Sequence, residues 1–156
     1  MHSFFSEKLT TQQLTKNSFF EGLPNNILEH LVEILNVHRY KKEDYIFNEG
    51  DNAAEMYFIL EGSVKIFKKT YKGGSKLLVE LHESQFFGEM ALIDRGKRST
   101  SVVAATDLIL ASLSWEKLNK EFEAYNPNLA IYTYKKIAQV LSLRLRQANT
   151  LYVHSE

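Results

Sequence analysis

The spacing of hydrophobic residues changes twice along the chain and divides it into three zones. In residues 6–36 apolar side chains recur at three- or four-residue steps, and Pro24 stands where the first turn of a helix tolerates proline. The apolar stripe consists of Ile27, Leu28, Leu31, Ile34 and Leu35. We therefore expect a helical lead over residues 6–36.

The second zone, residues 37–114, contains short runs rich in Val, Ile, Phe and Tyr with turn signals between them. Gly62 divides the run "EMYFILEGSVKIFKK", the segment "YKGGSK" is typical of a hairpin turn, and Asp107 separates "TSVVAAT" from "LILASLS". Many short strands of this kind predict a mainly β sandwich or small barrel.

The third zone, residues 115–153, returns to helical spacing. Ser114 is a suitable N-cap for a first helix, Asn126-Pro127 predicts a break, and a long segment without Gly or Pro follows. The apolar stripe of the long segment is Tyr134, Ile137, Leu141, Leu145, Ala148 and Tyr152. No repeat or low-complexity linker interrupts the chain, so residues 1–156 are predicted to form a single domain with two C-terminal helices.

Composition restricts the classes of protein to which the chain can belong. Nineteen basic residues balance nineteen acidic ones, so bulk charge favours neither nucleic acid nor an anionic membrane. The absence of cysteine excludes disulfides and thiol catalysis and suits a reducing compartment. The N-terminal residues do not have the pattern of a signal peptide, and no apolar run approaches the length of a membrane span. We therefore expect a cytoplasmic protein without a membrane partner.

The stretch "FGEMALIDRGKRST" carries the candidate chemistry. Gly88 permits unusual torsions and close backbone approach, and "EMALI" suits about one helical turn, whose free N–H groups favour an anion. Arg98 supplies a planar donor fork that matches a phosphate, and Ser99 and Thr100 add further donors. The carboxylate of Glu89 only accepts hydrogen bonds, which suits a sugar hydroxyl. Together these residues predict a site for a ligand with a phosphate and a hydroxyl.

The longer stretch "FGEMALIDRGKRSTSVVAAT" resembles the phosphate-binding cassette of cyclic nucleotide-binding domains. The segments "FNEGD", "YFILEGSVKIF" and "LLVELHESQFFGE" resemble the same family in order and spacing, so the resemblance covers residues 23–114. It implies a mainly β fold, a β jelly-roll barrel (double-stranded β-helix) with N-terminal helices and two C-terminal helices, that holds cAMP or cGMP as ligand.

The resemblance also implies a role for each matching residue. Glu89 would accept a hydrogen bond from the ribose 2′-OH, and Arg98 would pair with the cyclic phosphate, assisted by Ser99 and by backbone N–H groups of the "EMAL" turn. The residues expected to face the sugar and base are Ile66, Leu78, Val79 and Phe87. The remaining expected ligand-binding residues are Gly88, Met90, Ala91 and Thr100. As a loop residue, Arg98 is expected to contribute little to the core.

Two residues depart from the pattern of the family. Ser84 stands where relatives commonly have glycine, in a turn expected to lie outside the pocket, and Thr100 stands where they commonly have alanine. The hydroxyl of Thr100 either crowds the phosphate or helps to bind it. Ser99 leaves the choice of base open, because a hydroxyl at this place accompanies cGMP preference in some relatives and cAMP binding in bacterial ones.

The end of the long helix is the candidate cover for the base. Asn149 and Thr150 offer polar groups that can recognise a base edge, and asparagine can donate to and accept from adenine simultaneously. The alternative is that both residues belong to the solvated, fraying end of a helix. If they form a lid, the C-terminal helices rearrange when the ligand binds.

Neither a metal site nor a catalytic constellation is indicated. The five histidines do not have the spacing of metal ligands, and no nucleophile has an evident base.

We therefore expect a non-catalytic sensor of cyclic nucleotide, cAMP rather than cGMP, with a downstream protein partner and a possible homodimer through the C-terminal helix. Without a reading helix, the chain alone is not expected to bind DNA. The alternatives are the sensor part of a transcription regulator of the catabolite-activator type and a nucleotide-free scaffold.

Overall fold

The order of helices and strands in the computed structural model follows the three zones predicted from the sequence. The structure describes residues 8–124 and 127–154. The helices are α1 (Thr11–Leu14), α2 (Asn25–Ile34), α3 (Met90–Asp94), α4 (Trp115–Ala124) and α5 (Pro127–His154). The strands are β1 (Asn36–Tyr40), β2 (Tyr45–Phe47), β3 (Glu55–Glu61), β4 (Val64–Lys69), β5 (Ser75–Leu81), β6 (Phe86–Phe87), β7 (Ser101–Ala104) and β8 (Leu108–Ser114).

The strands form two four-stranded antiparallel sheets, with the orders β1-β8-β3-β6 and β2-β7-β4-β5. Residues of both sheets share one buried cluster: Tyr57 and Leu110 come from the first sheet, and Val64 and Val102 from the second. The mainly β fold with flanking helices is confirmed, but the two sheets are not joined into one closed barrel. The core is the apolar layer that both sheets bury.

The turn at Gly62 between β3 and β4 depends on the absence of a side chain. Gly62 has a φ of +91°, and a Cβ at this position would lie 2.4 Å from the backbone oxygen of Asp107. Any larger residue would therefore combine an unfavourable torsion with a clash against backbone. The two turns that the sequence predicts at Gly62 and Asp107 consequently lie against each other.

The turn at Ser84 keeps the left-handed conformation that glycine adopts most easily. Its φ is +72°, and its carbonyl accepts hydrogen bonds from Ser18 Oγ at 2.8 Å and from Ser18 N at 3.2 Å. The loop is thereby tied to the N-terminal helical segment.

Because an L-residue is strained in this conformation, we expect Ser84→Gly to raise the free energy of unfolding by about 1 kcal/mol. Urea denaturation of the two proteins measures this difference. A lower stability of the glycine variant would mean that the Ser84 side chain stabilises the turn by more than its backbone strain costs.

One compact unit of the chain ends at Lys117, and a second begins at Leu118. The predicted N-cap of α4 is confirmed, since Lys117 N donates to Ser114 Oγ at 3.1 Å. The predicted break at Asn126-Pro127 falls partly on residues outside the described ranges.

The apolar stripe predicted for the last helix is buried only in part. Ile137 is fully buried, whereas Leu145 is 63% exposed and Tyr152 is 69% exposed. The stripe is therefore covered near Ile137 and exposed at Leu145 and Tyr152. Within the described ranges, no helix combines the length and hydropathy of a membrane span.

Candidate functional site

The cassette predicted from the sequence is a short helix between two residues with positive φ. Gly88 (φ +74°) follows β6, α3 comes next, and Arg95 (φ +52°) ends the helix. A Cβ on Gly88 would lie 2.8 Å from Arg98 Nη1 and 3.4 Å from the carbonyl oxygen of Glu55. The glycine is therefore needed both for its torsion and for the close approach of Arg98.

Arg98 is buried beneath this cassette, with 7% of its surface exposed. Its Nη2 donates to the carbonyl oxygen of Glu55 at 2.8 Å, and its Nη1 donates to that of Gly88 at 3.3 Å. The guanidinium carbon lies 4.0 Å from the centre of the Phe47 ring and 5.7 Å from that of Tyr57. The expectation that this loop arginine contributes little to the core is wrong, because its side chain is oriented into the protein.

The charge of Arg98 is incompletely compensated. Its Nε is buried and has no hydrogen-bond partner among the described residues, and its two hydrogen-bonded nitrogens contact neutral carbonyl oxygens. Burial lowers the pKa of Arg98, although nearby Tyr57, Glu55 and Asp51 act in the opposite direction. A buried cation with an unused donor is stabilised by an incoming anion more strongly than an exposed one.

Tyr57 supports the arginine from the side of β3. Its hydroxyl donates to the carboxylate of Glu55, and its ring stacks on Phe87 with centroids 5.2 Å apart. Burial, and then the hydrogen bond to Glu55, raise the pKa of Tyr57 well above its ordinary value. The hydroxyl therefore stays protonated and remains a donor. An aromatic cluster of Phe47, Tyr57 and Phe87 thus lies beside the guanidinium.

Glu89 and its neighbours in the cassette alternate between the interior and the surface. Glu89 is only 4% exposed and precedes α3, and Ala91 is likewise buried. Met90 is 48% exposed. Glu89 adjoins Gly88, whose carbonyl accepts from Arg98, so the predicted carboxylate and the predicted cation lie at the same place in the fold. A cassette that carries both a buried carboxylate and a buried guanidinium has the groups needed for a ligand that offers both a hydroxyl and an anion.

Ser99 and Thr100 follow Arg98 where the chain enters β7. Ser99 is exposed and Thr100 is half-buried. The backbone of Arg98 itself is held on both sides, because Arg98 N donates to Asp51 O and Gly50 N donates to Arg98 O, each at 2.8 Å. The segment therefore has a defined backbone position beside the loop that carries "NEGD".

The residues expected to face the sugar and base occupy different environments. Ile66 and Val79 are cross-strand partners, and Ile66 packs against the shared core. Val79 is 43% exposed, and Leu78, at the register shift between β4 and β5, is 51% exposed. Phe87 is a core residue with 2% exposure, and its ring stacks on that of Tyr57. The ligand contacts of all four residues stay predictions.

Asn149 and Thr150 lie near the end of α5, in the second unit, and both are exposed. The hydroxyl of Thr150 donates to the carbonyl oxygen of Arg146 at 3.0 Å, one turn earlier in the helix. This bond is local to α5. The role of the two residues in base recognition stays a prediction.

The sequence interpretation missed the residues that hold Arg98. Phe47, Tyr57 and the carbonyl of Glu55 come from strands distant in sequence from the cassette. The sequence does contain a signal, the aromatic-rich runs "DYIF" and "EMYF". Both runs were interpreted only as strands that contribute to the core. The pairing of β3 with β6 brings Tyr57 beside the cassette, and the pairing of β2 with β7 brings Phe47 there.

Comparison with known proteins relates this geometry to established families. Residues 37–125 match the family model described as "Cyclic nucleotide-binding domain". The cAMP-activated global transcriptional regulator CRP of Haemophilus influenzae is 29% identical over 126 residues, which make up 80% of this chain and 56% of that protein. The chain thus spans little more than half the length of this curated relative.

Solved structures give the same relationship. The catabolite activator protein of Thermus thermophilus superposes with a TM-score of 0.76 at 28% identity, over 86% of this chain and 61% of that one. A cyclic nucleotide-binding domain from Methylobacillus flagellatus has a TM-score of 0.81 at 23% identity, over 94% and 82% of the respective chains. At that identity, the second likeness concerns the fold alone.

Proposed function

The chain belongs to the family of cyclic nucleotide-binding domains, and from this premise we propose that it is a sensor in which Arg98 and Glu89 bind the phosphate and ribose of a cyclic nucleotide. The relatives are regulators and not catalysts, which points to a protein without enzymatic activity. Binding of the ligand would therefore be the signal itself, and its effect would be passed to a downstream protein.

The observation that carries this proposal is the state of Arg98. Its guanidinium is buried over Phe47 and oriented by two backbone carbonyls, and its Nε has no partner within the described ranges. A cyclic phosphate has one negative charge and exposed oxygens that accept hydrogen bonds. It would compensate the charge of the guanidinium and supply an acceptor for the unused Nε donor.

We propose cAMP as the ligand, with cGMP as the alternative. The relative from Haemophilus influenzae is named as activated by cAMP, which supports this choice. Calorimetric titration of the purified protein with each nucleotide tests it. Tighter binding of cGMP would reverse the assignment of the base, and the absence of binding by both would favour the nucleotide-free scaffold with Thr100 in a degenerate site.

For the response to ligand, we propose that the end of α5 closes over the base. The exposed polar groups of Asn149 and Thr150 and the exposed apolar Leu151 are the residues available for this contact. A ligand can favour such an arrangement only through a higher affinity for it. The lid would then form as part of binding.

Hydrogen exchange of residues 143–153 is expected to slow when saturating cAMP is added, because a covered helix end opens less often. Deletion of the residues after Arg146 should weaken binding about tenfold, the effect of losing one or two contacts with the base. Exchange mass spectrometry and calorimetry measure the two effects.

Arg98→Ala provides the control, since cAMP should no longer slow exchange in that protein. Equal exchange with and without bound ligand, together with full affinity of the truncated protein, would place the response elsewhere.

The sensor part of a transcription regulator is the second candidate function. It is favoured because the relative from Haemophilus influenzae is a transcriptional regulator and this chain corresponds to 56% of its length. A mobility-shift assay of the natural full-length gene product with duplex DNA, with and without cAMP, tests this candidate. Binding of DNA that depends on cAMP would support it.

A further inference from the structure

A salt bridge lies beside the segment to which the proposed function assigns the phosphate. Glu49, in the loop after β2, and Lys68, near the end of β4, are joined by a contact of 3.0 Å between Oε1 and Nζ. Lys68 Nζ also donates to the carbonyl oxygen of Ser99 at 2.7 Å. The ammonium group therefore connects the carboxylate of Glu49 to the backbone carbonyl of Ser99, the residue that follows Arg98.

Glu49 is itself held at three points. Its second carboxylate oxygen accepts from Lys69 N at 2.9 Å, and its own backbone N donates to Ser101 Oγ at 2.9 Å. These hydrogen bonds, from Lys69 first and then from Lys68, keep the pKa of Glu49 below its ordinary value, so the carboxylate is charged at neutral pH. The side chain of Glu49 is only 18% exposed.

The contacts hold the backbone of both Arg98 and Ser99. The loop of Glu49 holds the backbone of Arg98 through Gly50 N and Asp51 O, each at 2.8 Å. The same loop, through Glu49 and then Lys68, holds the carbonyl of Ser99. Both peptides are thus attached to one loop, one directly and the other through a side-chain pair.

We propose that the Glu49–Lys68 pair is a positioning device that fixes the Arg98–Ser99 segment for the phosphate without touching the ligand. The proposal rests on the proposed function of Arg98. An ordinary surface salt bridge adds little, but this pair restrains a backbone segment, and a small displacement of phosphate donors weakens binding considerably. Lys68 Nζ already donates to Glu49 Oε1 and to Ser99 O, and in this proposal it acts through the position of Ser99.

The test uses Glu49→Ala, Lys68→Met and the double variant in the whole chain, with cAMP as the probe. Each single change is expected to lower affinity about tenfold, and the double variant should be no weaker than the weaker single one because both residues form one device. Lys68→Arg should recover most of the affinity. Lys72→Met, which removes the same charge from the turn after β4, should bind like the unaltered protein.

Other outcomes would overturn the proposal. If Lys68 attracted the phosphate directly, Glu49→Ala would tighten binding while Lys68→Met weakened it, and both effects would shrink at high salt. If the pair were merely structural, both variants would melt at lower temperature while the folded protein retained full affinity.

A measurement without ligand separates this proposal from the proposed function. In the free protein, amide exchange at Gly50 and Arg98, followed by NMR, should be faster in both single variants than in Lys72→Met. If the unaltered protein binds neither cAMP nor cGMP, the proposed function fails, and this exchange alone decides whether the pair fixes the segment. Unchanged exchange would contradict the device even if cAMP binds well.

Discussion

Replacement of Arg98 by alanine is expected to weaken cyclic nucleotide binding by about 2–5 kcal/mol, because the ligand phosphate would lose its charge-assisted partner in a buried site. Arg98→Lys should recover only part of the loss. Lysine keeps the charge but lacks the planar fork that Gly88 O and Glu55 O orient. Calorimetry with cAMP measures both effects.

The stability of Arg98→Ala should change less than its affinity. The variant leaves a void beside Phe47 and removes one donor from the carbonyl of Glu55, but it also removes a buried cation with an unused donor. Arg95→Ala is the matched control, since Arg95 belongs to the same loop but lies over the ring of Trp115. Unchanged cAMP affinity in folded Arg98→Ala would remove the arginine from the site.

Glu89 is expected to supply about 1.5–3 kcal/mol of discrimination against 2′-deoxy cAMP, the usual contribution of a hydrogen bond to a charged group. The carboxylate is buried, so its hydrogen bond with a ribose hydroxyl would be shielded from water. Glu89→Ala should bind cAMP more weakly and should hardly distinguish the two ligands. The four affinities form a cycle that isolates this single contact.

Asp94→Ala is the matched control for Glu89, because it removes a carboxylate of the same cassette, at the end of α3, whose contact is with Gly96 N at 2.8 Å. That protein should retain the full preference for the ribose hydroxyl. If Glu89→Ala also retains it, the hydroxyl is bound by another group and Glu89 has a structural role.

Much of the architecture could be predicted because its signals are local. These signals are the turn at Gly62, the helix cap at Ser114 and the alternation of short strands. Each depends on torsions and hydrogen bonds within a few residues. The cassette was predictable for the same reason, since Gly88, Glu89 and Arg98 lie within eleven consecutive residues of the chain. Their proximity follows from one short helix and one turn.

Features that depend on pairing between distant strands were not predictable. The contacts of Arg98 with Phe47 of β2 and with Tyr57 and the Glu55 carbonyl of β3 join segments that are far apart in sequence, which periodicity does not encode. A stripe on a helix indicates only which face could be buried, and the exposure of Leu145 and Tyr152 shows that this face is not covered along its whole length.

The sequence by itself determined the type and order of the elements and the residues able to bind a phosphate and a ribose, because propensity, turn chemistry and donor type belong to individual side chains. Only the tertiary structure decided that Arg98 is buried, with Phe47, Tyr57 and the Glu55 carbonyl around it, and that Lys68 connects Glu49 to Ser99. Burial and charge compensation are properties of the groups that surround a side chain, and here those groups come from strands that are separated in sequence and meet only in the folded sheets.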